Sequence, residues 1–215
     1  MIKNTNSNNQ GRFITIEGIE GAGKSTHINY IAGLLKAPGR ELVMTREPGG
    51  TLLGEAVREI LLNKNSIKIS GETELLLMFA ARAQHLEEII RPALARGACV
   101  VCDRFTDSSF AYQAGGRGVA WEIITRLKEI VHGDLAPDIT LLFDLPVETG
   151  IARIRSRGSP DRFESEQLDF FQRVRDAYLQ IAGAEPERMK IINAANSIEE
   201  VRENIKSTLE TLGLC

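Results

Sequence analysis

Cysteine is scarce in this chain, with 3 among 215 residues, too few to staple a secreted scaffold. Two of them spell C-x-x-C, but Cys99 and Cys102 lie in the apolar run Ala98-Cys99-Val100-Val101-Cys102. Residues three apart on a strand point to opposite faces, so two buried small hydrophobes are expected here rather than a redox or zinc pair. Long apolar runs are missing too. None approaches the roughly 18 residues of a membrane-spanning helix, and the polar N-terminus lacks the apolar stretch of a signal peptide. The expectation is a soluble, cytoplasmic protein with no membrane partner. Nor is there an excess of positive charge: 26 Lys plus Arg stand against 29 Asp plus Glu, a net charge of -3. Without a global basic field, nucleic acid is not expected as a partner, and any anion must be met by local clusters.

What is present is concentrated at Gly18-Ile19-Glu20-Gly21-Ala22-Gly23-Lys24-Ser25-Thr26, after the apolar run Phe13-Ile14-Thr15-Ile16 and before a helical pattern. The stretch fits G-x-x-x-x-G-K-[ST] with the required flanks. Glycines permit left-handed backbone angles, so successive NH groups can turn inward around a phosphate chain. The helix that follows adds unpaired amides and a positive dipole end. Lys24 can reach the β and γ oxygens, and Ser25 can hold a magnesium ion. A plain glycine turn is the alternative.

Residues 1–11, rich in Asn, are expected to be a disordered N-terminal extension, and 12–215 a single domain. A helix is expected from about Gly23 to Lys36, a strand over Glu41 to Thr45, a short helix over Leu53 to Leu62 and a long one over Glu72 to Arg96. The long helix is apolar over Leu75-Leu76-Leu77-Met78-Phe79, which predicts burial on several sides. Further strands are expected at Ala98 to Cys102, Ile139 to Phe143 and Met189 to Ile192, alternating with helices. The last helix opens with the capping box Ser197-Ile198-Glu199-Glu200. Alternation of short apolar strands with helices predicts an α/β fold, a parallel sheet covered on both faces.

Ligands of such sheets bind beyond the C-terminal ends of the strands. Three polar clusters meet there: the glycine-rich loop, Arg46-Glu47-Pro48-Gly49-Gly50-Thr51, and Asp103-Arg104-Phe105. Asp103, directly after an apolar strand, suits the ordering of magnesium; a helix N-cap is its alternative. A kinase with a phosphate acceptor must bring two anions together. Each unit repulsion at about 4 Å is roughly 4 kcal/mol at an effective dielectric of 20, so cations beyond Lys24 are needed. Arg46, Arg82, Arg104, Arg153, Arg155, Arg157 and Arg162 are candidates, and a guanidinium fork binds phosphate oxygens in pairs. A solvated helix end is the alternative for 153–157. Phe79 and Arg82 share a helix face, which suits a base-stacking ring beside an arginine; a core role for Phe79 is the alternative.

These motifs together resemble the thymidylate kinase family over about Arg12 to Leu212. The resemblance rests on the glycine-rich loop, Thr45-Arg46-Glu47-Pro48-Gly49-Gly50-Thr51, Leu77-Met78-Phe79-Ala80-Ala81-Arg82, Asp103-Arg104-Phe105, and Ala111-Tyr112-Gln113-Ala114-Gly115-Gly116-Arg117-Gly118. It implies a P-loop nucleoside monophosphate kinase fold with a five-stranded parallel sheet and a short lid at about 153–164. It also implies a homodimer, and transfer of the ATP γ-phosphate to dTMP with Mg2+. Residues 18–26 would bind ATP. Phe79 would stack on thymine, Arg82 would contact base and monophosphate, and Ser109 and Gln113 would lie at the base edge. Tyr112 would crowd the sugar 2' position and Glu20 would approach the 3'-hydroxyl. Arg46 and Arg104 would hold the acceptor phosphate beside Pro48. Ser25 and Asp103 would hold the metal. Gly21 stands where one type of the family places an arginine, so the chain is similar to the bacterial type, in which lid arginines reach ATP. Arg157, with Arg153, would supply that cation to Lys24 and Arg104. The adenine site would lie near Asn193 to Asn196. Two rival readings are a deoxynucleoside kinase, with Glu17 as its carboxylate base, and a nucleotide-dependent binding switch.

Overall fold

A computed structural model describes residues 11–63, 68–156 and 161–214 of the chain. Five strands form one parallel sheet in the order β2-β3-β1-β4-β5: β1 Arg12–Glu17, β2 Leu42–Arg46, β3 Cys99–Asp103, β4 Ile139–Asp144 and β5 Met189–Asn193. The expected five-stranded α/β architecture is what is found. Alternation within the strands builds two cores. Ile14, Ile16, Cys99 and Val101 face one side, where Ile31 and Leu35 of α1 (Lys24–Leu35), Val174 of α8 (Leu168–Ala184) and Ile205 of α9 (Ile198–Thr211) cover them. Phe13, Val100 and Cys102 face the other, against Leu86, Ile90 and Ala93. Cys99 and Cys102 thus point to opposite faces, both buried.

The long helix is one helical path made of α3 (Gly71–His85), a π-helical stretch at Leu86–Ile90 and α4 (Arg91–Ala95). Its apolar run is covered on several sides, as expected, but not on all: Leu75 and Phe79 are buried and Leu77 and Met78 half-buried, whereas Leu76 is 58 % exposed. Before it runs α2 (Leu52–Leu62). After β3 come α5 (Thr106–Ser109), a π-helical stretch at Phe110–Gly116 and α6 (Trp121–His132). Pro146 caps α7 (Val147–Arg155), and the capping box at Ser197 and Glu200 is formed.

Register decides where the chemistry sits. Ile16 and Arg46 both pair with Asp103, so β1, β2 and β3 end level and deliver their following loops to one edge. The glycine-rich loop is folded tightly there. Gly21 has φ +73°, and a Cβ on it would stand 2.2 Å from the Gly150 carbonyl oxygen of α7. No larger residue fits without moving that helix.

Candidate active site

One cavity of about 270 Å³ opens at this edge, and the loop residues Glu20, Gly21, Ala22, Gly23, Lys24 and Ser25 form one wall. Glu47, Pro48, Arg58, Met78, Arg82, Asp103, Arg104, Phe105, Ser108, Ser109, Tyr112 and Gln113 form the others, with Asp161, Phe163 and Glu164 across the top. Of the remaining loop residues, Ile19 is buried in the core and Gly18 and Thr26 do not line the cavity.

Lys24 Nζ donates to the carbonyls of Gly18 and Ile19 at 2.8 and 2.9 Å, which fixes the loop curvature. Burial, with Arg104 nearby, pulls its ammonium down to about 8, against the opposing pull of Asp103, Glu20 and Glu17. A lysine so disposed gains from an anion. Arg104 has φ +68°, the only described non-glycine residue with a positive φ, a conformation that L side chains adopt at a cost. Its guanidinium donates to Glu20 Oε1 at 2.9 Å and to Gly18 O at 3.0 Å, and stands over the Tyr112 ring. The Glu20 carboxylate also accepts from the Tyr112 hydroxyl. Loop, strand end and π-helical stretch are thereby joined in one charged cluster.

Arg82 is buried, and its Nε, Nη1 and Nη2 donate to Glu47, Ser109 and the Phe105 carbonyl. Those bonds use three of its five N–H groups, and Arg82 also lines the cavity. Gln113 donates its amide to buried Glu74.

Several of the expected residues lie off the cavity wall. Phe79 does not line the cavity: it is packed among Leu75, Ala114, Val119 and Ile124 and stacks on His132. One step earlier on α3, a rotation of about 100°, Met78 lines the cavity instead. Arg46 lies at the outer end of β2, half exposed and bound to Glu55, and does not line the cavity. Arg58 of α2 does, held by donation to the Pro48 carbonyl. Arg153 donates to the Gly21 and Ala194 carbonyls, so it ties the glycine-rich loop to the loop after β5 and stays outside the cavity. Arg162 binds Glu74 and the Leu61 carbonyl. Arg157 lies outside the described residues. Glu17 is not a cavity residue either: buried beneath the loop, it accepts from Phe105 N, Ser108 Oγ and Tyr178 OH. Burial and the charge of Asp107 push its carboxyl up to about 7, against the pull of those hydroxyls and Arg104.

Sequence reasoning missed Arg58, Met78, Ser108 and the buried carboxylates Glu47 and Glu74. A helical offset of four from Arg82 would have found Met78 as well as an offset of three found Phe79. For Arg58 the sequence holds no comparable marker.

For the metal, the residues fit. Asp103 Oδ1 is buried and without a hydrogen-bond partner among the described residues, and the exposed Ser25 hydroxyl shares its cavity. An orphaned carboxylate oxygen and a hydroxyl that line one cavity are the oxygen ligands a hard divalent cation takes.

A parallel sheet of this strand order, with a phosphate-binding loop opening into an arginine-lined cavity, defines a P-loop nucleotide phosphotransferase. The thymidylate kinase family profile matches residues 16–205. Thymidylate kinase of Pseudomonas putida F1 is 57% identical over 199 residues, covering 93% of this chain and 95% of that one. The Pseudomonas fluorescens SBW25 thymidylate kinase is 57% identical over 202 residues, 94% and 96% of the two chains. A crystal structure of thymidylate kinase from Ehrlichia chaffeensis superposes with a TM-score of 0.76 at 34% identity, covering 94% of this chain and 99% of that one. This chain belongs to the thymidylate kinase family. Among the described residues, no helix is long and apolar enough to cross a membrane.

Proposed function

We propose that this chain transfers the γ-phosphate of ATP to dTMP, giving dTDP and ADP. The observation that carries the reading is a single cavity whose one wall is the glycine-rich loop with Lys24 and whose other walls carry Arg58, Arg82 and Arg104. Loop amides and Lys24 hold the donor phosphates; Arg58 and Arg104 hold the acceptor phosphate facing them. The acceptor phosphate oxygen is already ionised near neutral pH, so no protein base is needed, in keeping with Glu17 lying outside the cavity. Catalysis consists of positioning two anions in line and neutralising their repulsion. Asp103 and Ser25 would hold a magnesium ion, which when bound neutralises charge on the donor phosphates.

Met78, Arg82, Ser109 and Gln113, which line the cavity, receive the thymine base. Tyr112 borders the sugar, with Glu20 toward its 3'-hydroxyl. The Arg153 tie between Gly21 and Ala194 brings the 193–196 loop beside the phosphate loop, which supports an adenine site there. Residues 12–215 act as one kinase domain, with 153–164 as a lid that excludes water. A homodimer is supported by Leu52, Leu53, Ile60 and Leu76, exposed on α2 and adjacent α3.

The test is ADP formation from ATP and Mg2+ with dTMP, dUMP, dCMP, AMP and thymidine offered separately. A strong rate with dTMP and a negligible one with thymidine is expected. A rate with thymidine alone, or ATP hydrolysis without acceptor as fast as transfer, would sink the proposal.

A further inference from the structure

We infer that Glu74 is a positioning residue that decides which end of the Gln113 amide faces the cavity, and so selects a base with a ring N–H donor over one with a ring acceptor. This rests on the dTMP kinase reading above.

Glu74 sits in the first turn of α3, fully buried. Its Oε1 accepts from Gln113 Nε2 at 2.8 Å, and its Oε2 accepts from Arg162 Nη2. Arg117 spans the carboxylate, with Nε toward Oε1 and Nη2 toward Oε2, each at 3.4 Å. Two guanidinium groups thus supply the opposite charge that a buried carboxylate requires. An ionised carboxylate only accepts hydrogen bonds. Facing one, the Gln113 amide must turn its NH2 group to Glu74, and its carbonyl oxygen becomes the end directed to the cavity that Gln113 lines.

That orientation has a chemical consequence. Thymine and uracil carry a ring N3–H that donates to such an oxygen. Cytosine presents a bare N3, so acceptor would face acceptor and both would be left unpaired in a buried site. Sites built to hydrogen-bond one partner reject the analogue that cannot do so. The discrimination is written two steps from the substrate, in a residue that does not line the cavity.

A single substitution should reverse it. In Glu74→Gln one oxygen remains, and Arg162 and Arg117 claim it at the Oε2 position. The Oε1 position becomes an NH2 group. Gln113 must then rotate its amide, direct its own NH2 to the cavity and present a donor where it presented an acceptor.

The experiment compares kcat/KM for dTMP and for 5-methyl-dCMP, which differ only at N3 and C4, in the full-length wild-type chain and in Glu74→Gln. The wild type should favour dTMP strongly. In Glu74→Gln the ratio should fall by on the order of tenfold or more, carried mainly by KM. A general loosening of the fold lowers both rates together and leaves the ratio alone. An unchanged ratio in a folded Glu74→Gln would overturn the inference, while a wild type inactive on dTMP would overturn the functional reading instead. Should Glu74→Gln not fold, Glu74→Asp takes its place: it keeps the charge for both arginines but withdraws the oxygen from the amide. A loss of ratio is again expected, and an unchanged ratio again overturns.

Discussion

Arg82 Nε donates to Glu47 Oε2 at 2.6 Å with both side chains buried. The other carboxylate oxygen of Glu47 meets His85 Nδ1 at 3.0 Å, and His85 Nε2 meets Thr45 Oγ1 at 2.7 Å. The guanidinium at the cavity wall is therefore fixed through a chain of groups that runs back to β2. Removing one member of a buried pair leaves the other charge unmatched, at about 3–5 kcal/mol. Glu47→Ala should lower stability by that order in urea titrations and raise KM for dTMP. Unchanged stability would mean that the pair does not hold Arg82.

The exchange of roles between Met78 and Phe79 separates binding from folding. Phe79, buried among Leu75, Val119 and Ile124, should cost about 3–5 kcal/mol of stability when cut to alanine. Met78→Ala, at a half-buried position facing the cavity, should cost less stability but raise KM for dTMP. If Phe79→Ala raised that KM in a chain of full stability, the base would lie against Phe79 after all.

Arg104 combines charge with a strained backbone, at φ +68°. Arg104→Ala and Arg104→Gly both delete the guanidinium, but only alanine keeps the strain. The glycine variant should be the more stable of the two by about 1 kcal/mol. Both should lose kcat by on the order of 10²-fold or more, as a group that meets transition-state charge would. Equal stabilities would show that position 104 carries no strain, and near-normal turnover would remove Arg104 from the mechanism.

Much of this architecture is written locally and so was legible. The glycine-rich loop announces itself by spacing, and the strands by short apolar runs; β2 and β3 each start and end one residue later than their composition suggests, because pairing carries both on to the level of Arg46 and Asp103. The rotational phase of α3 was not legible. Five consecutive apolar residues, Leu75 to Phe79, fit a helix in any orientation about its axis, and only packing turns Phe79 inward, Met78 to the cavity and Leu76 to solvent. The π-helical stretches depend on hydrogen-bond spacing that composition does not encode. Likewise, the roles of Glu47 and Glu74 exist only through partners 35 and 88 residues away, Arg82 and Arg162. A count of arginines found the need for cations but could not tell Arg58, which faces the cavity, from Arg46, which faces Glu55.

Glu17 predicts a pH dependence of stability. Its folded carboxyl, pushed up to about 7 by burial and Asp107, binds a proton that the unfolded chain has already released above about 4.5. Between those values the native state holds more protons than the unfolded state, so stability falls as pH rises through the window. The loss attached to this group is at most about 3 kcal/mol. Urea titrations at pH 5 and pH 8 should show the wild type losing stability relative to Glu17→Gln as pH increases. A relative gain would mean that the hydroxyls of Ser108 and Tyr178 favour the ionised form more than burial opposes it.

Lys24 gives the converse sign and a direct reading of where the donor phosphates lie. Its folded ammonium is pulled down to about 8 from 10.5 by burial and by Arg104. The native state therefore releases this proton before the unfolded chain does, and its contribution to stability rises with pH between those values. A phosphate chain against Nζ adds negative charge and restores the protonated form. Binding of ATP at pH 8.5, where the nucleotide is already fully ionised, should take up a proton, seen as binding heats that differ between buffers of unlike ionisation enthalpy. Lys24→Met should abolish the difference. Equal heats in both buffers for the wild type would mean that the phosphates do not reach Lys24, and the assignment of the glycine-rich loop as the donor site would fall with it.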